Sequence, residues 1–214
     1  MELEQLNAWQ LIVKGGPIMI PLVLCSIIGL SVVIAKVMYF ASIATDTQAL
    51  RQEVFAFLKS NRVSEAVAAC ENSPSPVAKI LLAGILKLGD SRENISHALE
   101  ESSRFAIPEL EKQLPILSTI AHMAPLLGLL GTVTGLTNTF HSIQVAAASM
   151  NPMSPGDFAG GISQAMLTTV AGLIIAICAF VTYNYLLSRV NHFILDMEKT
   201  GNEILNYLTQ VSSS

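Results

Sequence analysis

Apolar residues dominate the second half of this chain. Between Lys112 and Arg189 the only charged side chain is Asp157, which separates a charge-free run of 44 residues (113–156) from one of 31 (158–188). A soluble core has no use for helices that apolar and that long, so both runs predict membrane spans. A third charge-free segment, Gly15–Ala35, holds 21 residues. As a helix it would reach about 32 Å, against a hydrocarbon core of roughly 30 Å. It has the position of a signal peptide but lacks a basic leader region and a small-x-small cleavage site, so the pattern predicts a retained anchor.

The polar part has helical periodicity. Residues 46–60 place Leu50, Val54, Phe57 and Leu58 on one face. A short helix follows over 63–71 and stops before SPSP (73–76), where Pro74 and Pro76 predict a turn. The next helix is expected over 77–88, closed by Gly89, after which Asp90 and Glu93 have the spacing of a capping pair. From Asn94 the pattern continues into the apolar stretch with no glycine break. The 44 charge-free residues would span about 66 Å as one helix, twice the hydrocarbon thickness. The reading is therefore one long rod, bent but not ended by Pro108, Pro115 and Pro125, with only 116–144 in the membrane. The third span is likewise expected to run on into a polar tail carrying Glu198, Lys199 and Glu203.

The fold class expected is an all-α integral membrane protein with three transmembrane helices, two of them extending into a cytoplasmic helical bundle. Lysine and arginine set its orientation. Eight of the twelve (Arg51, Lys59, Arg62, Lys79, Lys87, Arg92, Arg104 and Lys112) lie between the first two spans, and Arg189 and Lys199 follow the third. The expected organisation is an extracytoplasmic N-terminus (1–14), span one (15–41), a cytoplasmic helical domain (42–115), span two (116–144), a periplasmic loop (145–157), span three (158–188) and a cytoplasmic C-terminal helix (189–214). A net charge of −4 gives no case for nucleic acid, and the three cysteines show neither disulfide nor metal spacing.

Enzyme chemistry has no foothold in these residues. The four histidines (His97, His122, His141, His192) are scattered, and there is no P-loop or GxSxG. His122 reads as a histidine bonded to a neighbour in its own helix. More informative is span two, where Gly128, Gly131 and Gly135 sit beside Thr132 and Thr134. Span three offers Gln164, Thr168 and Thr169 followed by Gly172. Glycines let helices approach closely, and membrane threonines most often bond their own backbone. Two helices that each combine small residues with threonines also suit a shared polar seam or pore. Hydroxyls do not titrate near neutral pH, and neither run carries a carboxylate, lysine or arginine. A proton relay here must therefore borrow its acid from another chain.

Three segments, GGPIMIPLVLCSIIGLSVV (15–33), LSTIAHMAPLLGLLGTVTGL (117–136) and GGISQAMLTTVAGLIIAICAFVTYNYL (160–186), resemble the ExbB/TolQ branch of the MotA/TolQ/ExbB proton-channel family. An ExbB-like role fits better than a TolQ-like one, and three spans fit this branch better than the four-span MotA type. The resemblance implies a homopentamer in the bacterial inner membrane around a dimer of an ExbD- or TolR-like single-span partner. That partner's transmembrane aspartate would enter the pore, and proton flow would drive work on a TonB- or TolA-like protein. It further implies that Thr132 and Thr169 match the family's two pore threonines, with Gln164 and Thr168 beside them. Gly128, Gly131, Gly135, Gly172 and Pro125 would pack the helices, and no cofactor or metal is implied. Gln164 stands where glutamate is common and Cys178 where proline is common. Two other readings of the residues are a self-sufficient solute carrier, opposed by the missing inverted repeat and midplane charge, and a structural scaffold in which the glycines only pack helices.

Overall fold

The computed structural model describes residues 15–43, 47–148 and 155–212, in which every regular element is a helix. In chain order these are α1 (Met19–Ile43), α2 (Thr47–Lys59), α3 (Val63–Glu71), α4 (Pro76–Ile85), α5 (Arg92–Glu111), α6 (Leu114–Ala148) and α7 (Pro155–Ser212). Helices α1, α6 and α7 are long and apolar enough to cross a membrane. The chain divides into two compact units, one built from residues up to Val33 and Leu114–Asn184, the other from Ile34–Gln113 and Tyr185 onward. The N-terminal segment 1–14 and residues 149–154 of the 145–157 connection lie outside the described residues, the rest of that connection being taken up by the ends of α6 and α7.

In the first unit small residues make the contact between α6 and α7, while many large side chains face outward. Met19 and Leu22 of α1 pack with Ala124 of α6 and Ala176 of α7, and Ile120, Ala121 and Ala179 form a neighbouring cluster. Ile27, Leu30, Leu126, Val133, Ile174 and Ile177 are exposed. Lipid tails are as apolar as leucine, so helices associate here through close packing rather than through removal of apolar surface from water.

The second unit is packed as soluble helical bundles are. The helix expected over 46–60 is α2, which buries Leu50, Val54 and Leu58. Phe57 is only half-buried and lies under the Arg62 guanidinium, 5.0 Å from the ring centre. Helix α4 starts at Pro76, whose fixed φ and missing N–H suit a first helical position, with Ser75 accepting from the Val77 amide. Gly84 lets α4 sit close to α5 and α7. A Cβ there would lie 3.2 Å from Ile204 and 3.3 Å from Leu99. Across the surface, the Lys79 ammonium donates to Glu109 at 2.8 Å and holds that carboxyl below its usual range. A depressed carboxylate stabilises the fold above its unfolded pKa and loses that contribution as pH falls through the folded one. The pair is half-exposed, so the contribution is small.

Three local expectations give way to the structure. Helix α4 ends at Ile85, not Leu88, because a hydrogen-bonded turn over 86–89 intervenes before Gly89 at φ +92°. The cap of α5 is Ser91, which accepts from the Asn94 amide, so the expected Asp90–Glu93 pair is out of register by one. Asp90 instead pairs with Lys87 at 3.6 Å. The largest change is that α5 and α6 are separate helices. The chain breaks at Lys112–Gln113, with Gln113 in the left-handed region at φ +73°. Pro115 favours a break here: in a continuous helix it would offer no N–H to the Glu111 carbonyl and its ring would clash there, whereas as the second residue of α6 it forfeits no helical bond. Pro108 and Pro125, by contrast, lie inside α5 and α6.

The break frees the Leu110 carbonyl, which would otherwise accept from the Leu114 amide. Lys36 of α1 takes it, with Nζ 2.8 Å from that oxygen and near the Tyr39 and Phe40 rings (5.1 and 5.4 Å from their centres). Only 3% of Lys36 is exposed. A cation at a helix C-terminus also answers the partial negative charge there.

Lys36→Met should leave Leu110 unpartnered and lower the thermal midpoint by an amount equivalent to about 1–3 kcal/mol, with Lys36→Arg milder. A second variant tests the bundle core. Thr200 is fully buried and its hydroxyl has no partner among the described residues. Thr200→Val should raise the midpoint, by about 1 kcal/mol, because it replaces an unmade bond with a methyl of the same shape. A fall in midpoint would mean the hydroxyl is satisfied.

Candidate functional site

The candidate site is built where α6 and α7 touch without side chains between them. A Cβ on Gly172 would lie 2.6 Å from the Ala124 carbonyl oxygen and 3.1 Å from the Cα of Gly128. One on Gly128 would lie 3.1 Å from the Cα of Thr169. Gly131 receives the Thr168 side chain, and Gly135 faces Ala165, whose Cβ would be 2.9 Å away. Pro125 adjoins Ala124 and is half-buried. The helices therefore meet backbone to backbone over about two turns, an approach that only glycine and alanine allow.

Each hydroxyl in this region has a carbonyl partner. Thr132 donates to Leu129 O at 2.7 Å, Thr134 to Leu130 O at 2.8 Å and Thr168 to Ala165 O at 2.8 Å. These are back-bonds within one helix, the ordinary habit of membrane threonine. Thr169 is different. It donates across the contact to Gly128 O at 2.9 Å, joining α7 to α6. Its reach follows from the small residues around it, since a side chain on Gly128 would separate the backbones.

The candidates divide into three positions. Thr168 is buried (1% exposed) against Gly131, and Thr169 is half-buried at the contact. Thr132 is partly exposed, one residue or about 100° round the helix from Gly131, and so lies beside the contact rather than in it. Gln164, also half-buried, is packed by its amide against Gly16, whose φ of +74° and missing side chain leave room for it. Gln164 is thus tied to the entry of α1, with only its backbone carbonyl near the Thr168 hydroxyl (3.5 Å).

Thr139 was missed by sequence reasoning. It is buried, donates to Gly135 O at 2.9 Å and fills the space left by Gly161. The signal was present, because Thr139 continues the i, i+4 row from Gly131 and Gly135. His122 is exposed, with Nδ1 2.6 Å from Ser118 O, so that nitrogen carries the proton and the ring bonds its own helix. Among the described residues no group of three His, Cys, Asp or Glu side chains could hold a metal ion. Burial pushes the Cys70 thiol up to about 11, which keeps it protonated and inert.

Residues 72–199 match the model of the MotA/TolQ/ExbB proton channel family. A Synechocystis protein described as biopolymer transport protein ExbB-like 3 is 29% identical over 194 residues, covering 90% of this chain and 91% of its own. The biopolymer transport protein ExbB of Aquifex aeolicus is 37% identical over 95 residues, 44% of this chain and 62% of its own. The Tol-Pal system protein TolQ of Haemophilus influenzae is 38% identical over 86 residues, 40% of this chain and 36% of its own.

Two glycines separate close packing from simple flexibility. Gly172→Ala must push apart backbone atoms, whereas a Cβ on Gly160 meets nothing within 4 Å. Gly172→Ala should lower the thermal midpoint in detergent by about 1–3 kcal/mol of destabilisation, and Gly160→Ala, with open space in a helix, should leave it unchanged or raise it slightly.

Proposed function

Because this chain belongs to the MotA/TolQ/ExbB proton channel family, we propose that it is the channel and stator subunit of an energy-transducing complex in the bacterial inner membrane. With an ExbD/TolR-like single-span partner it converts proton motive force into work on a TonB/TolA-like protein that serves outer-membrane transport or maintenance. Five copies surround the partner, with the N-terminus and the 145–157 loop periplasmic and the bundle and C-terminus cytoplasmic. The observation that carries this reading is the pairing of the α6/α7 threonines with a sequence that offers no carboxylate in either charge-free run, 113–156 or 158–188. A hydroxyl seam without an acid is half of a proton relay, and a partner aspartate is the other half.

The hydrogen bonds support a division of labour. The Thr132 and Thr169 hydroxyls both donate to backbone carbonyls. In that state their oxygens retain lone pairs and can accept from the O–H of a protonated partner acid. To donate to the ionised carboxylate, either threonine must release its carbonyl. The magnitudes suit a reversible step. Moving one charge through 100 mV releases about 2.3 kcal/mol, and a charged carboxylate at bilayer centre costs at least ~2.5–3.5 kcal/mol. Membrane hydroxyl bonds average about 0.6 kcal/mol, enough to bias the partner acid without trapping it. Gln164 adds no charge of its own and takes a packing role beside Gly16.

The test is coexpression with the single-span partner and measurement of proton-driven work. Thr132→Val and Thr169→Val should each preserve the assembled mass while reducing activity by about fivefold or more, the equivalent of ~1 kcal/mol. Thr169→Ser should retain activity. Full activity in both valine variants would sink the pore assignment.

A further inference from the structure

Helix α5 carries an exposed aromatic knob on one side and borders a groove on the other. Phe105 is 73% exposed. Lipid does not account for it, because α5 is a charged helix carrying Arg92, Glu93, Glu100, Glu101, Arg104, Glu109 and Glu111. On the other side, α5 and α7 enclose a groove of about 550 Å³ lined by the apolar Leu99, Ile107, Met197 and Leu205 and by the polar Glu100, Arg104, Glu198 and Asn202. Ser96 also lines this groove. Phe105 is nine residues away, about 180° round the helix at ~100° per residue. A copy of the chain therefore cannot place its own Phe105 in its own groove.

We propose that Phe105 of one copy docks in the α5/α7 groove of the next, making a head-to-tail contact in the bundle. This rests on the reading above that copies of the chain assemble, and it names the surfaces that join them. A knob and a socket on different faces of one subunit give a heterologous interface, which closes into a ring when the rotation between copies allows it. Height agrees with this. In a ring whose axis runs along α5 every residue keeps its own level, and position 105 lies between the groove residues Ser103 and Ile107. Charge agrees as well. Glu101, one turn before Phe105 on the knob side, and Arg104, on the groove edge, are both exposed and form no ion pair within the described chain. Glu101 of one copy at the level of Arg104 of the next forms the pair that neither makes alone.

The test uses the full-length chain in its native membrane with two distinguishable tags. One copy carries Phe105→Cys and the other Glu198→Cys. An added oxidant should cross-link the two tagged copies when they are coexpressed, and neither variant should cross-link to itself. Wild type, with Cys25, Cys70 and Cys178, controls for native thiols. Native mass is measured in parallel. An oligomer that gives no mixed cross-link, or a Phe105→Cys band with itself, overturns the docking and leaves the stator reading standing. A monomeric mass overturns both. A charge-swap arm gives independent support. Glu101→Arg should shift the mass toward smaller species, and adding Arg104→Glu to the same chain should restore it. Failure of that rescue also counts against the contact.

Discussion

The membrane part of this protein depends on the approach of two backbones, at Gly128 of α6 and Gly172 of α7. Everything polar in the seam follows from it. With no side chains between the helices, the Gly128 carbonyl comes within reach of the Thr169 hydroxyl, 2.9 Å away and 41 residues distant in sequence. Thr168 and Thr139 fill the spaces left by Gly131 and Gly161. In lipid a threonine must satisfy its hydroxyl on the nearest carbonyl. Where the contact is closest, that carbonyl belongs to the neighbouring helix.

A second constraint comes from Pro115. It ends the continuity of α5 and α6, places Gln113 in a left-handed conformation and leaves the Leu110 carbonyl without its helical partner. The Lys36 ammonium takes that partner's place. It closes the end of a helix 74 residues away, and the aromatic rings of Tyr39 and Phe40 flank it. The first helix is thereby joined to the segment that leads into the second span, by one buried charge-assisted bond of the stronger sort.

Most of the helical architecture was legible from the chain, because charge-free runs and apolar periodicity are strong signals over long segments. The bounds of α2 and α3, and the continuation of α7 through Arg189 into a polar tail, follow from that pattern. Local competition was harder to read. Asp90 and Ser91 are both good caps, and only the final register selects Ser91. Three prolines looked alike in sequence, yet Pro108 and Pro125 are absorbed into helices while Pro115 ends one. Composition marks the glycines and threonines of the seam, but which hydroxyl bonds across and which bonds back depends on angular position around each helix. Contacts such as Lys36–Leu110 and Gly16–Gln164 join distant segments and leave no local trace.

The two charge-free runs have a consequence for biosynthesis. A membrane that receives this chain before any partner gains helices with no intramembrane acid and with threonine hydroxyls tied to carbonyls. On the proposed function such a subunit would conduct nothing by itself. A cell could then make it in excess without draining the ion gradient on which every other process in that membrane draws. Conduction would then begin only with assembly, and the supply of the acid-bearing chain would set how much current the membrane carries.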